Sequence, residues 1–265
     1  MKELFSLWDG VIKKALESRY IYLFLDCDGT LAPIAATPGR AAIPKRTRKA
    51  LVAFSKSEKS RLAIISGRSL SDIKAFVGLD GIIYTGNHGL EIEGPGITSR
   101  WKMPGSYKDS LAEIREQLAR GLGSMPGIMI EDKGLSLCLH YRMARAGEKK
   151  IIDLFRKVTG PYISAGKISV MHGKKSAEVR PATGWNKGKI VGWLLERERL
   201  RLGGEDIIAV YVGDDETDED AFKTLSEGGI TVRVGRSSDS SAKYYVDDTD
   251  DVYRFLKMIL KTRSR

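Results

Sequence analysis

Apolar and polar positions follow two rhythms along this chain. Tyr20–Leu25 is an unbroken apolar run of six, enough for one strand buried on both faces, and it stops at Asp26. Comparable runs lie at 61–67 (RLAIISG), 81–86 (GIIYTG) and 206–213 (DIIAVYVG), with shorter ones at 230–234 and 243–246. Between them the apolar positions fall at helical spacing. The first such stretch is 3–18, with Leu4, Leu7, Trp8, Val11, Ile12 and Ala15, read as an amphipathic helix on the core. A basic helix is expected at 45–57, and others at 186–201, 217–227 and 249–261. Ser69 and Asp72 make a capping box for a helix that stops at Gly78. Residues 31–44, with Pro33, Pro38 and Pro44, read as a loop.

The texture changes after Trp101. Helices at 106–122 and 148–158 accompany strands at 127–131, 135–142, 168–172 and 176–180, joined by short glycine turns. That is the pattern of a small antiparallel sheet carrying two helices. Strand–helix alternation returns after Pro181. The expected fold is α/β: an open, mostly parallel sheet interrupted by an inserted, smaller α+β module.

Composition narrows the picture further. The 265 residues are 42% hydrophobic, adequate for a proper core, and the net charge of +10 favours acidic partners such as phosphorylated small molecules. The densest basic runs, at 45–49, 197–201 and 261–265, are separate and read as solvated helix faces, so no nucleic acid partner is expected. Two cysteines, Cys27 and Cys138, provide neither a disulfide framework nor a zinc pattern. Cys27 is expected to face away from its flanking aspartates as a small buried hydrophobe. Lys2, Glu3, Asp9 and Lys13 interrupt the N-terminal apolar positions, so no signal peptide is read, and no run reaches membrane-spanning length. The expectation is a soluble, cytoplasmic protein with no membrane partner.

Chemistry collects where strands end. Asp26 and Asp28 stand at i and i+2, so on extended chain both carboxylates point one way, just past a buried strand. Gly29 lets the backbone turn, and Thr30 offers a hydroxyl and an N–H. Close carboxylates repel unless a cation sits between them, and hard oxygens suit Mg²⁺ with a phosphate. Ordinary turn chemistry also explains Asp-x-Asp-Gly. Ser66, followed by Gly67 and Arg68, can hold a phosphate oxygen at a helix start. Lys187, in Asn186-Lys187-Gly188, is a point charge suited to a phosphoryl oxygen, although an exposed lysine often does nothing. In VGDDETDED, residues 212–220, six acidic residues fall within seven positions. A helix dipole accounts for Glu219 and Asp220 better than for Asp214 and Asp215. A calcium loop fails, because counting from Asp214 puts Glu219 where glycine is needed and Leu225 where glutamate is needed. A P-loop fails at 184–189 on its glycine spacing. In a parallel sheet these strand ends meet at one edge, which suits phosphoryl transfer.

Asp26-Cys27-Asp28-Gly29-Thr30, Ser66, Lys187 and Gly213-Asp214-Asp215 resemble, in order, the four motifs of the haloacid dehalogenase superfamily of phosphatases. FLDCDGTLAPI, ISGR, GNHG, EDKGLSLCLHYR, EVRP, GWNKG and GDDETDED together resemble the trehalose-6-phosphate phosphatases across essentially the whole chain. The resemblance implies a Rossmann-like catalytic core, residues 1–102 and 182–265, and a cap domain, residues 103–181. It implies Mg²⁺-dependent hydrolysis of a sugar phosphate, trehalose 6-phosphate, with Asp26 as nucleophile and Asp28 as acid and base. Asp26, Asp214 and the backbone carbonyl of Asp28 would hold Mg²⁺, with Asp215 and Asp218 supporting the cage or the lysine. Ser66 and Lys187 would hold the phosphoryl group.

The cap would read the sugar through Glu131, Lys133, His140, Arg142 and Glu178, with Arg180 near the hinge. Arg68, Asn87 and His88 would border the cleft from the core side. Alternation in LSLCLHYR sets Leu135, Leu137 and Leu139 on one face and Ser136, Cys138, His140 and Arg142 on the other, supporting His140 and Arg142 as a pair. Lys133 beside Gly134 also fits a turn, and His88 also fits a structural hydrogen-bonding role. Sucrose, glucosylglycerate and mannosylglycerate phosphates remain rival substrates, and a non-catalytic sugar-phosphate-binding regulator is the rival of another class. A monomer is expected, with a separate trehalose-6-phosphate synthase as the one protein partner the resemblance suggests.

Overall fold

The structure is a computed structural model that describes residues 1–17, 19–35, 40–145 and 147–263. Ser18 at the end of the expected first helix, Pro38 of the proline loop, and Ser264 and Arg265 of the basic tail lie outside the described residues. The chain divides into two compact units, 1–99 with 186–265, and 100–185.

In chain order the strands are β1 (Lys2–Glu3), β2 (Tyr20–Leu25), β3 (Ser60–Ile65), β4 (Ile83–Gly86), β5 (Glu91–Gly94) and β6 (Ile97–Arg100). The second unit then contributes β7 (Met129–Asp132), β8 (Leu137–His140), β9 (Ile168–Gly173) and β10 (Ser176–Pro181). The first unit resumes with β11 (Ile207–Gly213), β12 (Ile230–Val234) and β13 (Tyr244–Val246). The α-helices are α1 (Lys13–Leu16), α2 (Lys45–Ser55), α3 (Leu70–Val77), α4 (Gly105–Leu122), α5 (Glu148–Ser164), α6 (Lys187–Leu202), α7 (Glu219–Thr224) and α8 (Thr249–Arg263).

The first unit is built on a nine-stranded sheet in the order β1-β13-β12-β11-β2-β3-β4-β5-β6. Pairing is parallel from β1 across to β4 and turns antiparallel at β5. All six residues of β2 are buried, which is why its sequence is uniformly apolar. Ile21, Leu23 and Leu25 pack on one side with Leu51 and Phe54 of α2 and Phe255 and Leu256 of α8. Each such side chain contributes about 1.5–3 kcal/mol by leaving water. Register aligns the strand ends: Leu25 lies opposite both Val212 and Ile64, and Ile65 opposite Thr85. The residues that follow β2, β3, β4 and β11 therefore emerge along one edge.

The N-terminus departs from the expected 3–18 α-helix. Lys2 and Glu3 pair with Tyr244 and Tyr245, and the chain continues as a 3-10 turn (Phe5–Leu7), a π-helical turn (Trp8–Ile12) and the short α1. Leu4, Trp8, Ile12 and Leu16 are all buried at intervals of four. An α-helix of 3.6 residues per turn cannot keep that interval on one line, and the wider π turn can. The β5–β6 hairpin was not foreseen in the sequence. The expected 217–227 helix is a 3-10 turn (Glu216–Asp218) followed by the six residues of α7. Helix α5 runs past 158 to Ser164 with Pro161 inside it.

The second unit is a four-stranded sheet, β7-β8-β10-β9, antiparallel throughout. Leu137, Leu139, Ala177 and Val179 pack with Ile114 and Leu118 of α4 and Ile151 and Phe155 of α5. Alternation sends Glu131, Cys138, His140 and Glu178 to the opposite face. No helix among the described residues is long and apolar enough to cross a membrane.

Candidate active site

Asp26 follows β2 directly, its N–H bonded to the Val212 carbonyl at 2.9 Å. Lys187 opens α6, where the Asn186 side chain caps the helix by accepting from Lys189 N–H at 2.9 Å. The two meet in a buried pair: Lys187 Nζ donates to Asp26 Oδ1 at 2.7 Å and to Asp218 Oδ1 at 2.8 Å. Asp215 Oδ1 stands 3.8 Å from the same ammonium. Asp218 is wholly committed to holding its neighbours. Its Oδ1 also accepts from Tyr211 Oη at 2.6 Å, and its Oδ2 from the N–H groups of Asp214 and Asp215 at 2.9 and 3.0 Å. Asp215 and Asp218 cap each other reciprocally. Two glycines make this packing possible. A Cβ on Gly213 would lie 2.2 Å from the Asp218 carboxyl carbon, and one on Gly29, at φ +90°, 2.3 Å from Asp214 Oδ2.

Burial raises the Asp26 pKa well above its usual value, against the opposing pull of Lys187. Burial alone would lower Lys187, but Asp218 and Asp26 outweigh it and the ammonium is held protonated. Asp218 is pushed up to about 6 by burial, with Lys187 opposing. Asp215 is half-exposed; partial desolvation would raise its pKa, yet Lys187 and the Thr217 hydroxyl hold it well below the carboxylate range. Asp26, Asp214 and Asp218 bring carboxylate oxygens within 4.8 Å of one another, a hard-oxygen set that fits a divalent cation such as Mg²⁺.

Asp28 is not among those three. Its side chain, expected beside that of Asp26, faces Arg68, which donates to it through Nε and Nη2, each at 2.7 Å. Arg68 in turn donates to Asp72 at 2.9 Å and lies over the Phe76 ring at 4.1 Å. Arg68, expected to face substrate, thus grips Asp28. Asp72 completes only half of the expected capping box: its N–H reaches Ser69 Oγ at 3.2 Å while its carboxylate serves Arg68. Ser66 is buried and accepts from Arg68 N–H at 3.1 Å. The turns after β3 and β4 are tied together by Asn87 N–H to Arg68 C=O at 2.7 Å and His88 N–H to Ser66 C=O at 2.9 Å. Asn87 and His88 both adopt left-handed backbone, and Asn87 Nδ2 donates to Glu91 Oε2 at 2.7 Å. Cys27 is fully buried in the hydrophobic cluster.

In the second unit, Glu178 on β10 is the hub. Its Oε1 accepts from Ser136 Oγ at 2.6 Å and Lys133 Nζ at 3.2 Å. Burial would lower Lys133, but Glu178 and Glu131 outweigh it and raise its pKa. Glu131 Oε2 and His140 Nε2 are 2.7 Å apart, and that hydrogen bond lowers the Glu131 pKa. Burial pushes the Cys138 thiol up to about 12. Arg180 is half-buried on β10, opposite Ser169. Strand β8 ends at His140, the alternation ends with it, and exposed Arg142 donates to the Lys174 carbonyl at 3.0 Å.

Sequence reasoning passed over Tyr211, Glu91 and Ser136. Tyr211 sat in an apolar run and read as core, although a buried phenol needs a partner. Glu91 lies outside any motif, Ser136 stands on the polar face of EDKGLSLCLHYR with no site role assigned, and only the fold brings them to Asn87 and Glu178.

The model of the trehalose-phosphatase family matches residues 24–250. Trehalose-phosphate phosphatase B of Arabidopsis thaliana is 30% identical over 272 residues, covering 98% of this chain and 71% of that protein. The C-terminal domain of Candida albicans trehalose-6-phosphate phosphatase shares the fold with a TM-score of 0.85 at 23% identity, covering 98% of each chain. Aspergillus fumigatus trehalose-6-phosphate phosphatase, crystal form 3, is similar with a TM-score of 0.65 at 26% identity, covering 94% of this chain and 96% of that one.

Proposed function

The chain belongs to the trehalose-phosphatase family, and from that premise we propose that it hydrolyses trehalose 6-phosphate to trehalose and phosphate through an aspartyl phosphate on Asp26. The observation that carries this reading is the buried Lys187 ammonium between Asp26 and Asp218, at 2.7 and 2.8 Å. It is a fixed cation beside a carboxylate at the end of a buried strand, where phosphoryl oxygens gather charge during transfer.

Asp26 Oδ attacks phosphorus, and the bond from phosphorus to the sugar oxygen breaks. Asp28 gives its proton to that leaving oxygen and then takes one from the water that cleaves the acyl phosphate. Arg68 orients Asp28 by its two-point grip. Asp218, with every oxygen hydrogen-bonded, positions Lys187 and the backbone that carries Asp214. Ser66 and Lys187 contact the phosphoryl group. Asp26, Asp214 and the Asp28 carbonyl would hold Mg²⁺, which when bound neutralises developing negative charge on the phosphoryl oxygens. The closeness of the Asp26 and Asp214 carboxylates supports the first two of these ligands. Residues 1–102 and 182–265 act as the catalytic core and 103–181 as the cap. The polar face of the cap sheet, with Glu131, Lys133, His140 and Glu178, recognises the sugar, because fixed charged groups can bind hydroxyls in pairs.

The test is phosphate release with Mg²⁺ and with EDTA, across trehalose 6-phosphate, sucrose 6-phosphate, glucose 6-phosphate and glucosylglycerate phosphate. The expected result is Mg²⁺-dependent release with strong preference for trehalose 6-phosphate. Broad weak release would discard the cap assignment. Tight binding of a sugar phosphate without release would replace the enzyme by a regulator.

A further inference from the structure

Glu131, Cys138 and His140 present an oxygen, a sulfur and a nitrogen, each within 4.8 Å of the others. Strand register puts them there. Cys138 lies directly opposite Glu131 on β7 and opposite Glu178 on β10, and His140 follows on the same face of β8. The geometry points to a second cation site, for a borderline-soft divalent transition metal such as zinc, held by Glu131, Cys138 and His140.

The donor set decides the class of ion. Thiolate and imidazole favour zinc over Mg²⁺, while the all-carboxylate cluster of the first unit favours Mg²⁺. Three protein ligands are what an accessible zinc site uses, leaving its fourth position open. Charge also matches. Glu131 and Glu178 carry two negative charges and Lys133 one positive; a Cys138 thiolate brings the group to a net of two negative, which balances a divalent cation. The surroundings are already fixed, since Ser136 and Lys133 hold Glu178 in place next to the thiol. On binding, the Cys138 S–H bond breaks, its proton leaves to solvent, and a sulfur–metal bond forms. The Glu131–His140 hydrogen bond gives way to two bonds to the same ion, and the proton that His140 Nε2 donated passes through solvent to Nδ1. Occupancy would withdraw Glu131 and His140 from substrate, a consequence that rests on the reading of this face as the sugar-recognition surface.

The test uses the full chain under saturating Mg²⁺, titrated with Co²⁺ as a spectroscopic probe. One equivalent should produce a thiolate-to-cobalt charge-transfer band that zinc abolishes. Cys138→Ser should lose the band, and His140→Gln should weaken cobalt binding by at least about tenfold. Unchanged thermal midpoints would show that both variants fold. Absence of the band would overturn the site, and so would its survival in Cys138→Ser, where the sulfur would be that of Cys27, the other cysteine of the chain. A parallel assay reads zinc inhibition. Zinc should raise KM for trehalose 6-phosphate and leave p-nitrophenyl phosphate hydrolysis unchanged in the wild type, with no effect in Cys138→Ser. If cobalt binds through Cys138 while neither substrate responds, the metal site stands and the sugar reading of the face falls.

Discussion

Lys187 carries more of the site than any other side chain. Buried among Asp26, Asp215 and Asp218, it offsets charges that could not otherwise share so small a volume. Asp26→Asn keeps the shape and the Asp218 contact, so the fold should survive while turnover falls by more than about a thousandfold, as loss of a nucleophile demands. Equal thermal midpoints with residual steady-state activity would identify another nucleophile. Gly29→Ala meets two obstacles, a φ of +90° and the Asp214 carboxylate 2.3 Å away. It should cost about 1–3 kcal/mol in denaturant unfolding and weaken Mg²⁺ activation, since the Asp214 carboxylate must shift. Lys133→Ala should reduce kcat/KM for trehalose 6-phosphate at least about tenfold and leave p-nitrophenyl phosphate nearly unaffected. Equal losses on both would place Lys133 outside sugar recognition.

Strands and helices contribute by what they deliver at their ends. Parallel β2, β3, β4 and β11 bring their following residues to one edge, and backbone bonds between the turns after β3 and β4 lock Ser66, Arg68, Asn87 and His88 as a block. Elsewhere, polar ties join elements without chemistry. Glu198 of α6 is buried and accepts from Tyr20 of β2 at 2.8 Å and Arg201 at 2.7 Å. Burial would raise its pKa, but the hydrogen bonds from Arg201 and Tyr20 prevail and lower it from 4.5. A lowered folded-state pKa means stability that is fully present above about pH 4.5 and is lost as pH falls through the folded value. Glu198→Gln should therefore flatten the acid limb of the unfolding curve below pH 4.5. An unchanged acid limb in urea titrations would show that Glu198 is not coupled to folding.

Among the described residues, one core lies around β2 and β11 and another around α4, α5 and the four-stranded sheet. They share no residue, so damage should stay local. Leu118, fully buried on α4, tests this. Leu118→Ala should destabilise its unit by about 2–5 kcal/mol and speed amide hydrogen exchange across 100–185, with β2 and β11 unaffected. Faster exchange in β2 would mean that the units unfold together. Most of the net charge of +10 lies in residues 100–185, which carry 16 Lys and Arg against 8 Asp and Glu, a balance that suits a phosphorylated substrate.

Much was legible without coordinates because local pattern encodes it. The apolar run of β2, the helix periods and the change of texture after Trp101 follow from burial, and burial acts on each segment separately. The catalytic candidates were legible for a similar reason: Asp26, Ser66, Lys187 and Asp214 stand at breaks in those patterns. Partners were not legible. Asp28 and Arg68 are 40 residues apart and Lys187 and Asp26 are 161 apart, and no period in the chain couples such distances. The N-terminal segment wound wider than an α-helix because it had to present Leu4, Trp8, Ile12 and Leu16 to a surface made by the rest of the fold. Cys138 is the sharpest case. Its sequence spacing matches no metal pattern, and antiparallel register alone sets it between Glu131 and Glu178 with His140 beside it. Chemistry-bearing residue types are written in the chain one at a time; which of them share a charge, a proton or an ion is decided by the pairing of strands.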